Sequence, residues 1–187
     1  MPLTPYTLAI FLHVVGALGF FMALGLEWFM LQRLDRVTTT QEAVQWLKRA
    51  KGIQSFSGTS LLLVLTAGLY MTFAAWGRAY WIEVAFSAVI LQAAIAGIIT
   101  GPRIRAMRTA ITAEPADTLS SAMQTQLRHP LLRVSLLSRM GIALGIIFLM
   151  TIKPALTLSL IAIAAGLLIG GLSSLLMMRR AAQRAAA

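Results

Sequence analysis

A chain of 187 residues with 58 % apolar and 12 % charged side chains, and a mean hydropathy of +0.80, lies far from soluble domains, which run near 45–50 % apolar and about 25 % charged. Disorder is excluded by the apolar content, and disulfide or thiolate–metal frameworks by the absence of cysteine. A formal charge of +10 on a soluble chain would suggest nucleic acid; in an apolar chain the 16 Lys and Arg report threading first, and no nucleic-acid partner is expected.

Apolar runs of roughly 17–25 residues, the length that crosses a hydrocarbon core of about 30 Å, occur five times. They are 6–30, 56–76, 82–100, 134–152 and 155–178, and they predict an all-α polytopic transmembrane bundle forming one membrane domain. The first run is read as a retained span, because no basic side chain precedes it and no small-x-small site ends it. After it, Thr39, Thr40 and Glu42 carry a helix-start pattern, and Val44, Trp46 and Leu47 supply an apolar side, so a surface amphipathic helix is expected near 40–49. The stretch 109–130, with Glu114, Pro115 and Asp117, reads as a loop with one or two helical turns. Arg139 falls inside the fourth run, close enough to its end for the guanidinium to reach the headgroups. Lys153-Pro154 ends that run and predicts a tight hairpin into the fifth.

Fourteen of the 16 basic residues fall in or beside the segments 31–55, 101–133 and 179–187, leaving Arg78 and Lys153 on the other side. The positive-inside rule then places the N-terminus outside and the C-terminus in the cytoplasm. Small residues mark close helix contacts in lipid: Gly16, Gly19 and Ala23 on the first run, Ala93, Ala94, Gly97 and Gly101 on the third, Gly141 and Gly145 on the fourth, Gly166 and Gly170 on the fifth. Trp76, Tyr80 and Trp81 belong at the outer interface and Trp28 at the inner one, as anchors.

Ionisable groups at membrane depth are the default candidates for function. His13 lies in the outer leaflet, where it is either a ligand to haem iron or copper, a proton-carrying group, or a neutral imidazole bonded to a neighbouring carbonyl or hydroxyl. Glu27, about 40° from His13 around the helix axis, pairs with Arg103, Arg105 or Arg139, or serves a proton path. Glu83 lies beside Arg78 and opposite Lys153, where an interfacial ion pair is expected. Gln92 is read as a bond between helices, and His129-Pro130 as the turn before the fourth span. Met71 and Met150 lie at the depth of His13, and imidazole plus thioether is a workable set for haem iron or Cu(I). Bis-His ligation would need His13 from two subunits, hence a homodimer. No phosphate-binding loop, paired carboxylates or nucleophile triad is visible.

The stretch Phe11-Leu12-His13-Val14-Val15-Gly16-Ala17, followed by Gly19 and Gly25, resembles the first helix of a group of small bacterial polytopic membrane proteins. These include the copper-resistance D type and related uncharacterised integral membrane families. Phe148-Leu149-Met150-Thr151-Ile152-Lys153-Pro154 likewise resembles a late-helix signature of the uncharacterised branch. The resemblance implies a multi-pass bundle in the bacterial inner membrane, with a metal or b-type haem at His13. The chain lacks the further intramembrane His and the Met-rich external motif of the copper-handling pattern. Three functional expectations follow: an electron-transfer or sensing protein holding a redox cofactor or metal on His13; a non-enzymatic scaffold or accessory subunit of a membrane complex; or a carrier of a small solute or ion along the His13–Glu27 stripe.

Overall fold

Thr4 and Thr7 begin the first helix by capping each other. The Thr4 hydroxyl accepts from the Thr7 amide at 3.2 Å and the Thr7 hydroxyl from the Thr4 amide at 3.0 Å, with Pro5 at the first helical position. The computed structural model describes residues 3–112 and 118–186, with side chains through position 177. Glu114, Pro115 and Asp117, and the side chains of Arg179, Arg180 and Arg184, lie outside what is described.

Among the described residues seven α-helices follow in order: α1 Pro5–Leu34, α2 Thr40–Met71, α3 Tyr80–Ile95, α4 Gly101–Thr112, α5 Ser121–Leu127, α6 Pro130–Ile152 and α7 Leu156–Ala186. No strand occurs among the described residues beyond an isolated bridge between Thr39 and Thr118. Five helical stretches are long and apolar enough to cross a membrane, so the chain is an all-α bundle with five candidate spans.

Two junctions differ from the sequence expectation. The predicted surface helix and the second span form a single helix, because nothing from Ala50 to Ser55 interrupts it: Gly52 is open-sided and no proline intervenes. That helix loosens into a π turn over Thr72–Trp76 and stops at Gly77, whose φ of +60° glycine adopts without a side-chain clash. The third span likewise runs through a π turn at Ala96–Thr100 directly into α4. Pro102 accounts for the irregularity, since it has no N–H for the Ile98 carbonyl and its ring crowds that group. The Arg103 guanidinium donates to the neighbouring Ile99 carbonyl at 3.2 Å.

Packing is set by two tight antiparallel pairs. In the first, Gly16 and Gly19 of α1 let α2 approach so closely that a Cβ at Gly19 would stand 2.6 Å from Ser60 Oγ. In the second, Gly141 of α6 meets Gly166 of α7 backbone to backbone, and Gly170 meets the Leu137 carbonyl. The fifth-span glycines therefore serve contacts within the chain. Gly97 has no atom within 4 Å of a Cβ position, so the third-span stripe is not a close seam there. The α6 helix is central: half of its apolar window is buried, against 11 % for α2 and for α7.

The largest apolar cluster lies at the basic end of the bundle. Leu34, Val37, Leu47, Ile104, Ile111, Leu119, Met123, Leu127 and Leu132 are all buried there. The described part of the stretch 109–130, with its helical turns at Ser121–Leu127, thus belongs to a packed cap. Thr38 accepts from the Leu119 amide at 3.2 Å, Ser120 caps α5 through the Met123 amide, and Asp35 pairs with Arg133. A smaller cluster of Val84, Ala85 and Leu149 fills the opposite end. There Lys153 closes α6 in the left-handed conformation (φ 52°, ψ 53°), one residue before Pro154.

Candidate functional site

Within α1, two polar groups stand about 21 Å apart along the axis, given fourteen residues at 1.5 Å each. The one nearer the N-terminus, His13, is half-buried. Its Nδ1 lies 2.9 Å from the Val64 carbonyl of α2. A carbonyl only accepts, so in the neutral ring Nδ1 carries the proton and Nε2 keeps its lone pair. Gly68 makes the approach possible: a Cβ there would sit 3.2 Å from His13 Cε1 and 3.3 Å from Nδ1. The antiparallel register of α1 on α2 brings the two together, a juxtaposition that no spacing within α1 announces.

The second group, Glu27, is paired. Arg139 of α6 donates from NH2 to Glu27 Oε1 at 2.5 Å, with side-chain exposures of 7 % for the acid and 3 % for the base. Of the three partners considered for Glu27, the structure selects the one on the central helix. The Arg139 Nε has no partner among the described residues, and neither has the Oε1 of buried Gln92 on α3. One turn from Arg139 along α6, Ser135 shares a 2.9 Å hydrogen bond with Thr100, the last residue of the π turn. Thr100→Val would leave the buried Ser135 hydroxyl without that partner; a loss of about 1 kcal/mol in reversible unfolding is expected, and no change would refute the bond.

Glu83 pairs with Arg78 at 3.0 Å on an exposed surface, where the contact is worth little. Beside it Trp76 gathers three partners. Its Nε1 donates to the Tyr6 hydroxyl at 3.3 Å, its ring meets Trp81 edge-on at 5.5 Å, and the Lys153 ammonium lies 4.2 Å from its centroid. This group ties the starts of α1 and α3 and the end of α6 to the end of α2.

The two methionines part company. Met71 follows Gly68 by three residues, about 4.5 Å further along α2 and near the face that meets His13. Met150 packs against the Val84, Ala85 and Leu149 cluster of α3 and α6. His129 accepts from the Leu131 amide at 3.3 Å and caps α6, a structural role. Among the described residues no cluster of three or more His, Cys, Asp or Glu side chains could hold a metal. The donor that this geometry leaves free is one imidazole nitrogen, with the Met71 thioether about one turn beyond Gly68 on α2.

The Val64 carbonyl and Gly68 escaped the sequence reading because neither is a chemical signal on its own. No family model, no curated protein and no solved structure matches this chain.

Proposed function

We propose that this protein is a multi-pass component of the bacterial inner membrane that holds a redox-active group, b-type haem or copper, on Nε2 of His13, and serves in electron transfer or sensing. The observation that carries the reading is the Nδ1 contact with the Val64 carbonyl. Histidines that bind metals almost always give their other ring N–H to a carbonyl or carboxylate, which fixes the tautomer and aims the free nitrogen. Met71 is the candidate second ligand within the chain; a second copy's His13 is the alternative. Such a group would supply one-electron chemistry, while this chain supplies the donor nitrogen, its orientation and an apolar surround.

The test separates ligation from structure. His13→Asn keeps an amide N–H where Nδ1 stands but has no lone pair at the Nε2 position. The expected result is a stability within about 1 kcal/mol of the parent together with loss of a Soret band after haem supplementation, or of bound copper by elemental analysis. A parent protein that stays colourless with haem and metal-free after purification would overturn the proposal.

A second reading, a non-enzymatic scaffold or accessory subunit, is favoured by Glu27, whose charge is spent on Arg139 inside the bundle. In that case His13 is a strut between α1 and α2, and His13→Asn changes neither colour nor assembly.

The proposed orientation, amino end outside and carboxyl end in the cytoplasm, rests on the cation asymmetry. Since the chain has no cysteine, single introduced thiols report alone. Arg78→Cys should react with an impermeant maleimide on intact cells, and Arg128→Cys only after permeabilisation. The reverse pattern would invert the topology.

A further inference from the structure

Between the first turns of α2 and the length of α4 lies a groove of about 470 Å³ at the basic end of the bundle. Lys48 comes from α2, Arg105 and Arg108 from α4, and Val44, Leu47 and Thr109 complete the walls and floor. Arg105 and Arg108 are three apart and so share a helix face. Among the described residues no carboxylate lines the groove.

Six cations of this end, Arg36, Lys48, Lys51, Arg105, Arg108 and Arg128, hold no partner among the described residues, and of these only Lys48, Arg105 and Arg108 line the groove. Arg33 and Arg49 stack on Phe29 and Trp46, Arg133 and Arg139 pair with acids, and Arg103 bonds a carbonyl. Lys48, Arg105 and Arg108 make no side-chain hydrogen bond, ion pair or ring contact with the described residues. Three like charges converging on one apolar-floored cleft, without a counter-ion among the described residues, call for an anion with an apolar portion.

The level of the groove narrows the choice. Trp46, two residues before Lys48, meets Phe29 edge-on at 5.8 Å, and guanidinium groups cover both rings. Aromatic rings faced by cations are the side chains of the membrane–water boundary. A basic cleft between helices at that boundary suits an anionic phospholipid, its phosphate among the cations and its first methylenes against Val44 and Leu47.

We infer that the α2–α4 groove is a binding site for one anionic phospholipid headgroup, held through its phosphodiester by Lys48, Arg105 and Arg108. This inference stands independently of any cofactor on His13. The test is native mass spectrometry of the full chain released from nanodiscs containing phosphatidylglycerol, cardiolipin or phosphatidylcholine, compared with Lys48→Gln/Arg105→Gln/Arg108→Gln. A second triple variant, Arg36→Gln/Lys51→Gln/Arg128→Gln, removes the same charge elsewhere on the basic end.

Retained anionic lipid should fall about fivefold for each groove charge removed, while the second variant keeps it. Arg105→Lys, which preserves the charge in a side chain that is already exposed, should retain most of the binding and guards against misfolding of the triple variant. Equal losses in the two triple variants would overturn the site by showing bulk attraction alone. So would equal retention of phosphatidylcholine, or displacement of the lipid by millimolar inorganic phosphate, which would make the occupant a free anion.

Discussion

Glu27→Leu should destabilise the bundle by about 3–5 kcal/mol, because it leaves the guanidinium of Arg139 buried with no opposing charge. The reciprocal Arg139→Met should cost a similar amount by stranding the carboxylate. The double substitution is expected to recover most of the loss, or to exceed the parent, since exchanging a buried pair for well-packed apolar side chains is often neutral or better. A double-mutant cycle on reversible unfolding in mixed micelles checks all three values. Additive losses would show that the 2.5 Å contact carries no coupling. A recovered double variant would also say that the pair is kept for register or for function, and flux or cofactor assays on that variant would then decide which.

The α6–α7 seam carries the second large effect. A Cβ on Gly141 would overlap the Gly166 carbonyl, and one on Gly166 the Gly141 carbonyl, so neither methyl can be accommodated by turning a side chain. Gly141→Ala and Gly166→Ala should each force the two backbones apart, at about 1–3 kcal/mol or more, and the pair together should be less than additive because one displacement serves both. Gly25→Ala and Gly58→Ala are the internal standards. Both lie in helices with nothing within 4 Å of the Cβ position, so the better helix propensity of alanine should leave stability unchanged or raised by up to about 1 kcal/mol. Four variants compared in one detergent therefore separate a packing constraint from a generic dislike of substitution.

Much of the architecture was readable before any coordinates. The five apolar runs correspond to five helices of spanning length because in lipid a run of that kind has almost no alternative to helix. What escaped was continuity. Whether 40–49 breaks before 56 depends on the absence of a stop signal, and Gly52 looks like one in sequence although it sits in an unbroken helix. The cap also escaped, since its buried leucines and methionines lie at irregular spacings in segments as basic as any solvated loop. At the candidate site, depth was legible and azimuth was not. Glu27, Arg103, Arg105 and Arg139 share a level by counting residues, but only packing places Arg139 on the central helix facing α1. His13 found a backbone oxygen, a partner that every residue carries and no sequence pattern marks.

The Glu27–Arg139 contact spans 112 positions of the chain. At a ribosomal pace of roughly 5–20 residues per second, the acid emerges about 6–20 s before the base that will meet it. During that interval α1 and α2 already have each other, glycine against serine, while the carboxylate has no mate. Insertion of α6 is then the event that relieves it, and a nascent chain halted after α3 should be the species a membrane quality-control protease recognises.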